Sequence, residues 1–454
     1  MTDSIAGLPF WEITFDADGD PEGPGRDALL TEVAARGVTD LFVFAHGWNN
    51  ERRTARRLYN GFFGLLAGQL RNTPANPPVV AGLAGVVWPS KRWSDEPIPD
   101  FGPATATAAT PGAAAATEVA PAPAAASSAT LDKKTLDDLR ETFPAATRAL
   151  DRMAELLESE PTDAALAEFH SCLAEFGASG VAQDDGEGTG ATAGPRMLQD
   201  GPERLFERYR DALRGAGVEI PGGSGGAAGL GDRLKGMWNG AKEALRQATY
   251  WEMKNRSGVV GRNGLGPALG ALHGAAPGLR VHLIGHSFGA RLVSYALAGL
   301  TDGLSPSPVK SVTLLQGAFS HFAFADPLPF DAGRRGALAG MQRRVDGPIT
   351  VCFSRHDGAV GRFYPLASFA AREDSAGAND AMYRWGGMGA DGAQNHDVAL
   401  DAIAPAGAAY RFSADRILNV DAAEVVHRGG APTGAHSDIV HPELTWVVLA
   451  ASRA

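Results

Sequence analysis

Apolar and polar positions fall into alternating strand-like and helix-like blocks over the first 90 residues, and again after Gly258. Residues 10–15 predict an edge strand, and residues 27–36 a helix stopped by Gly37. Leu41-Phe42-Val43-Phe44-Ala45 is apolar without interruption. A strand covered on both faces has this pattern. A helix over 52–70 and a strand within 79–88, ended by Pro89, complete the first block. In the second block, strands are predicted at 280–284, 309–316, 349–353 and 422–426, with helices at 290–300, 332–344 and 441–451. Strands alternating with helices imply an α/β fold, a mainly parallel sheet with helices on both faces.

Between the blocks the pattern changes. Residues 101–130 are mostly alanine, proline and threonine, a linker composition expected to be disordered, and 177–201 and 215–231 are glycine-rich. Between them, 135–158, 163–176, 203–213 and 233–254 carry helical periodicity. The chain therefore divides into a first core segment (1–90), a helical insertion with flexible seams (91–255) and a second core segment (256–454). No internal repeat is found.

Composition narrows the function. The 454 residues carry a net charge of −11, with no basic run interleaved with aromatics, so nucleic acid is not an expected partner. The two cysteines, Cys172 and Cys352, match no metal spacing, and no metal is expected. The sequence starts without a basic region leading into an apolar run, and no apolar stretch is long enough for a transmembrane segment. The expectation is a cytoplasmic protein.

The chemistry concentrates at Gly285-His286-Ser287-Phe288-Gly289, placed between a predicted buried strand and a predicted helix. A serine on such a sharp turn is held out above a helix N-terminus, where developing negative charge is favoured. In a chain with 57 glycines the pattern also arises by accident, and Gly222-Gly223-Ser224-Gly225-Gly226 fits it without strand or helix flanks. Context selects Ser287. Its hydroxyl needs a base and the base needs a carboxylate. His436, in the loop before the last helix, is the choice over His441, His427 and His396; the plainer role is a surface loop histidine. Asp357, just after the strand at 349–353, is the choice over Asp391, Asp397 and Asp326; the plainer role is a turn aspartate beside Gly358. An oxyanion hole needs two backbone N–H donors. Phe288 supplies one. Ala45-His46-Gly47-Trp48-Asn49, following a strand, supplies the other through Trp48 or Asn49, with Trp48 favoured; a strand-ending turn is the plainer reading.

Together these motifs, in the order Ser287, Asp357, His436, resemble the α/β-hydrolase superfamily, among its bacterial esterase- and lipase-like members. The resemblance covers about 1–90 and 256–454. It implies serine hydrolase activity on carboxylic esters through an acyl-serine, with a small-molecule acyl ester as substrate and no cofactor. His46, Gly47, Asn49, His286 and Phe319 are the expected substrate-binding residues. The insertion departs from the familiar pattern, because it precedes the nucleophile strand instead of following the later strands. Thioester or amide cleavage and acyl transfer stay open as alternatives. So does a non-catalytic role in which the insertion binds a protein partner. Tyr250-Trp251-Glu252-Met253 reads mainly as core, with an acyl-pocket wall as the rival reading. Residues 385–389 read as a loop.

Overall fold

The computed structural model describes residues 3–75, 77–90, 93, 129–178, 183–184, 191–192, 196–215, 230–363, 386–394, 398–414, 416–430 and 433–454. The expected linker at 101–130 lies almost wholly outside them, as do the second serine turn around Ser224, Trp385, His396 and Asp397.

The first block contributes β1 (Asp3–Ile5), β2 (Leu8–Phe15), β3 (Pro21–Glu22), α1 (Gly25–Ala35), β4 (Asp40–Ala45), α2 (Arg52–Asn72) and β5 (Ala81–Val87). The insertion supplies α3 (Lys133–Thr142), α4 (Thr147–Leu157), α5 (Asp163–Ala178), α6 (Pro202–Gly215) and α7 (Leu230–Val259). It also carries a small ribbon, β6 (Gln183–Asp184) and β7 (Ala191–Thr192), separate from the main sheet. The second block supplies α8 (Gly266–Ala275), β8 (Arg280–His286), α9 (Phe288–Ala298), β9 (Val309–Leu315), β10 (Ile349–Phe353), the short α10 (Met388–Asp391), β11 (Val398–Ala402), β12 (Ile417–Asp421) and α11 (Pro442–Ala451). Among the described residues no helix is long and apolar enough to cross a membrane.

Among the described residues ten strands form one mixed, mostly parallel sheet in the order β1-β2-β5-β4-β8-β9-β10-β12-β11, with β3 added to β2. Within it, β1 and β3 run antiparallel to β2, and the other pairs are parallel. β4 and β8 occupy the middle, paired in register from Asp40 with Arg280 to Ala45 with Gly285. Every residue of β4 is buried, the reason its sequence is continuously apolar after Asp40. Its alternate side chains enter different cores. Leu41, Val43 and Ala45 join Val281 and Leu283 of β8 and the buried residues of α1, α8 and α9. Phe42 and Phe44 join those of α2 and α11 on the other face. The insertion helices pack into the first of these cores through Leu150, Phe169, Phe206 and Leu245, so the insertion and the sheet share one apolar interior.

Several elements differ from the sequence expectation. Residues 135–158 are two helices, because Pro144 starts a short 3-10 turn between α3 and α4. Residues 332–344 form turns with a 3-10 segment at Met341–Arg344. There, Gly336 and Leu338 donate their N–H groups to Ala325 and Ala323, so the backbone is satisfied across a loop and not along a helix. Among the described residues the last strand is Ile417–Asp421 and not 422–426. Ala422 starts a turn in which the Val426 N–H bonds the Ala422 carbonyl. The expected insertion boundary at 255 falls inside α7, which runs on to Val259 and through a π-helical segment, Val260–Leu265, into α8.

Candidate functional site

β8 delivers Ser287 at its carboxyl end. Ser287 has φ 57 and ψ −122, outside the regions L-residues prefer, and α9 starts at the next residue. Among the described residues four non-glycine positions have positive φ, and three of them, Asn49, Ser287 and Gln316, follow β4, β8 and β9. Backbone strain is therefore gathered at the carboxyl end of the sheet, as at functional sites. The turn is held by Ser287 N–H donating to Leu315 O at 3.1 Å and by Ala318 N–H donating to Ser287 O at 3.2 Å. Close packing explains Gly289: a Cβ there would lie 1.9 Å from Ala45 O.

The structure brings Ser287, His436 and Asp357 into one line. Ser287 Oγ is 2.8 Å from His436 Nε2, and His436 Nδ1 is 2.8 Å from Asp357 Oδ2. The other Asp357 oxygen accepts the Val360 N–H at 2.9 Å. Asp357 is 1% exposed, Ser287 6% and His436 7%, so all three are buried, the carboxylate most of all. Loop-to-loop pairing sets this geometry. Asp357 and Gly434 form an isolated antiparallel bridge, and Ala435 N–H donates to His356 O at 2.9 Å. The base and the acid thus share a backbone frame although 79 residues separate them. His441, the nearest rival for the base, instead bonds Asp438 at 2.7 Å. Asp391 pairs with His321 at 2.9 Å.

The loop after β4 lies against the serine. A Cβ on Gly47 would sit 2.7 Å from Ser287 Cβ, so only glycine leaves room there. The Phe288 N–H is the first of α9, and first-turn amides have no acceptor inside their own helix. The Trp48 and Phe288 rings are 6.5 Å apart.

His46, Asn49, His286 and Phe319 are all buried, and their contacts are with protein. His46 stacks on Trp88, 5.7 Å between rings, and its carbonyl accepts the Trp88 indole N–H at 2.9 Å. Burial pulls its pKa down to about 4, against the opposing hydrogen bond to Gly47 O. Asn49 Oδ1 accepts the Trp93 N–H at 2.6 Å. His286 Nε2 donates to His436 O at 2.8 Å. Burial, with the neighbouring His436 charge adding to it, pulls the His286 pKa down to about 3. His46, Asn49 and His286 thus frame Gly47 and His436. Tyr59, Trp88, Ser90 and Trp93, which hold the same loop, carry no sequence signal that separates them from ordinary core.

A second Ser–His–Asp line lies deeper in the sheet. His282 Nδ1 is 2.9 Å from Ser311 Oγ, and its Nε2 is 3.0 Å from Asp40 Oδ1. His282 is 0% exposed. Arg280 also bonds Asp40, at 2.8 Å from Nε. Burial lowers the His282 pKa, against the opposing hydrogen bond and charge of Asp40.

No family model, curated protein or solved structure matches the chain.

Proposed function

We propose that the protein is a serine hydrolase of carboxylic esters built on an α/β-hydrolase-type sheet. The observation that carries this reading is the Ser287–His436–Asp357 line, with 2.8 Å at both links, on a serine whose φ is positive. His436 Nε2 takes the Ser287 proton while Oγ bonds the ester carbonyl carbon. The resulting oxyanion is received by the N–H groups of Phe288 and of the Gly47 loop, with Trp48 the favoured donor. The C–O bond then breaks, and the leaving alkoxide takes the proton from His436. Water attacks the acyl-serine, giving its proton to His436, and collapse returns that proton to Ser287 and releases the carboxylic acid. Asp357 stays ionised, holding Nδ1–H and stabilising the imidazolium. His286 helps by remaining neutral, since a second cation 4.9 Å from the His436 ring would oppose its protonation.

A fluorophosphonate probe tests the reading. It is expected to label the protein, and Ser287→Ala is expected to abolish labelling. Equal labelling of the variant would sink the assignment.

A further inference from the structure

Three aromatic rings meet beside the serine, and one comes from the insertion. Tyr250 of α7 lies 4.6 Å from the Phe288 ring and 5.4 Å from the Trp48 ring, the latter edge-on at 80°. Phe288 and Trp48 sit on the two segments that border Ser287 in the proposed reaction. Phe288 is buried, whereas Trp48 and Tyr250 are only partly so. α7 and α9 pack against each other, and Arg291 Nε donates to Lys254 O at 2.8 Å, one turn further along both helices than the Tyr250–Phe288 contact. Tyr250 is therefore held in place by a helix seam. The Trp48 indole N–H is buried and has no acceptor among the described residues, as is also true of the Trp11 and Trp93 indoles.

Resting on the serine-hydrolase reading, we infer that Tyr250 and Trp48 form the acyl-binding wall, that Tyr250 is a specificity-determining residue, and that the preferred acyl group is neutral and carries an aromatic ring. Edge-to-face and offset contacts favour a ring over an aliphatic chain of similar size, and this trio brings no charged side chain to the wall. The insertion then completes the substrate site instead of forming a separate docking module.

The test compares kcat/KM for p-nitrophenyl phenylacetate and p-nitrophenyl butyrate. Wild type is expected to favour the phenylacetate. Tyr250→Ala is expected to lower the phenylacetate-to-butyrate ratio by about three- to tenfold, the range of one aromatic pair, and Tyr250→Phe to restore it. A wild-type preference for butyrate, or the same ratio in Tyr250→Ala as in wild type, overturns the inference alone. Wild-type protein that neither cleaves an ester nor takes up a fluorophosphonate overturns the underlying reading as well. A wild-type preference for butyrate overturns the inference even if Tyr250→Ala fails to fold, and the Tyr250→Phe ratio still reads the contribution of the ring position.

Discussion

Two Ser–His–Asp lines share one sheet, and they differ in almost everything except residue type. Ser287–His436–Asp357 stands at the carboxyl ends of β8 and β10, on loops, with Asp357 on Nδ1 and the serine on Nε2. Ser311–His282–Asp40 lies within β9, β8 and the start of β4, with the nitrogens exchanged: the aspartate is on Nε2 and the serine on Nδ1. Ser311 is 1% exposed and lies within β9, opposite His282 and beside a register shift of the β8–β9 ladder, not on a strand-ending turn. Ser287 has a strained backbone, a helix starting behind it and Gly47 against it. On the serine-hydrolase reading proposed above, a hydrogen-bonded triad alone does not suffice: the strained turn and the nearby backbone donors set Ser287 apart, and the buried line reads as a satisfied polar joint between three strands.

Substitution should separate the two lines. Ser287→Ala is expected to reduce ester turnover by on the order of a million-fold, whereas Ser311→Ala leaves it within about twofold. Ser311→Ala should instead lower stability by about 1–3 kcal/mol, because His282 loses a buried partner. Steady-state kinetics and urea unfolding of both variants check this. Asp357→Asn should reduce kcat by about ten-thousandfold, since an amide cannot hold the required tautomer and charge. Asp40→Asn should act on the unfolding midpoint and spare kcat. Next in size, Gly47→Ala should lower kcat by about a hundredfold, as its Cβ would displace Ser287 or the donor loop. A normal kcat in that variant would remove the Gly47 loop from the site.

The Ser287 line is legible in the sequence because its parts are local. The continuous apolar run of β4, the strand before Ser287 and the glycines around both turns are short-range signals; Asp357 follows β10 closely, whereas His436 stands in the long connection between β12 and α11. The buried line is not legible, because nothing local marks His282 or Ser311 among the other polar residues of β8 and β9, and they meet only when the two strands pair across a register shift. β11 escapes the pattern for a related reason: Val398–Ala402 is a partly exposed edge strand with a mixed sequence, Leu400 being 64% exposed. The absence of a helix at 332–344 reflects Gly333, Gly336 and Gly340, which favour loop backbone over helix. Tyr250 reads mainly as core, and its ring does pack, partly buried, against the main apolar core.

A separate expected effect, on stability and not on turnover, concerns pH. His286 has a folded pKa of about 3 against an ordinary 6.5, so below pH 6.5 the unfolded chain takes up a proton that the folded chain refuses. Its contribution to stability is complete above pH 6.5 and falls by about 1.4 kcal/mol per pH unit as the medium is acidified toward pH 3. His46, at about 4, acts in the same direction, while Glu252, raised by burial to about 7, acts in the opposite one above pH 4.5. The difference between wild type and His286→Gln isolates the His286 part. Thermal melting from pH 7 to pH 5 should show a shallower decline for the variant, and parallel curves would contradict the neutral, buried role of His286.

The most direct test of the central claim is to trap the acyl-enzyme. Protein mixed with p-nitrophenyl acetate and quenched in acid should carry one acetyl group on the peptide containing Ser287, and none on that containing Ser311. An acetyl group on another residue, or undiminished hydrolysis by Ser287→Ala without any acyl-protein, would contradict it.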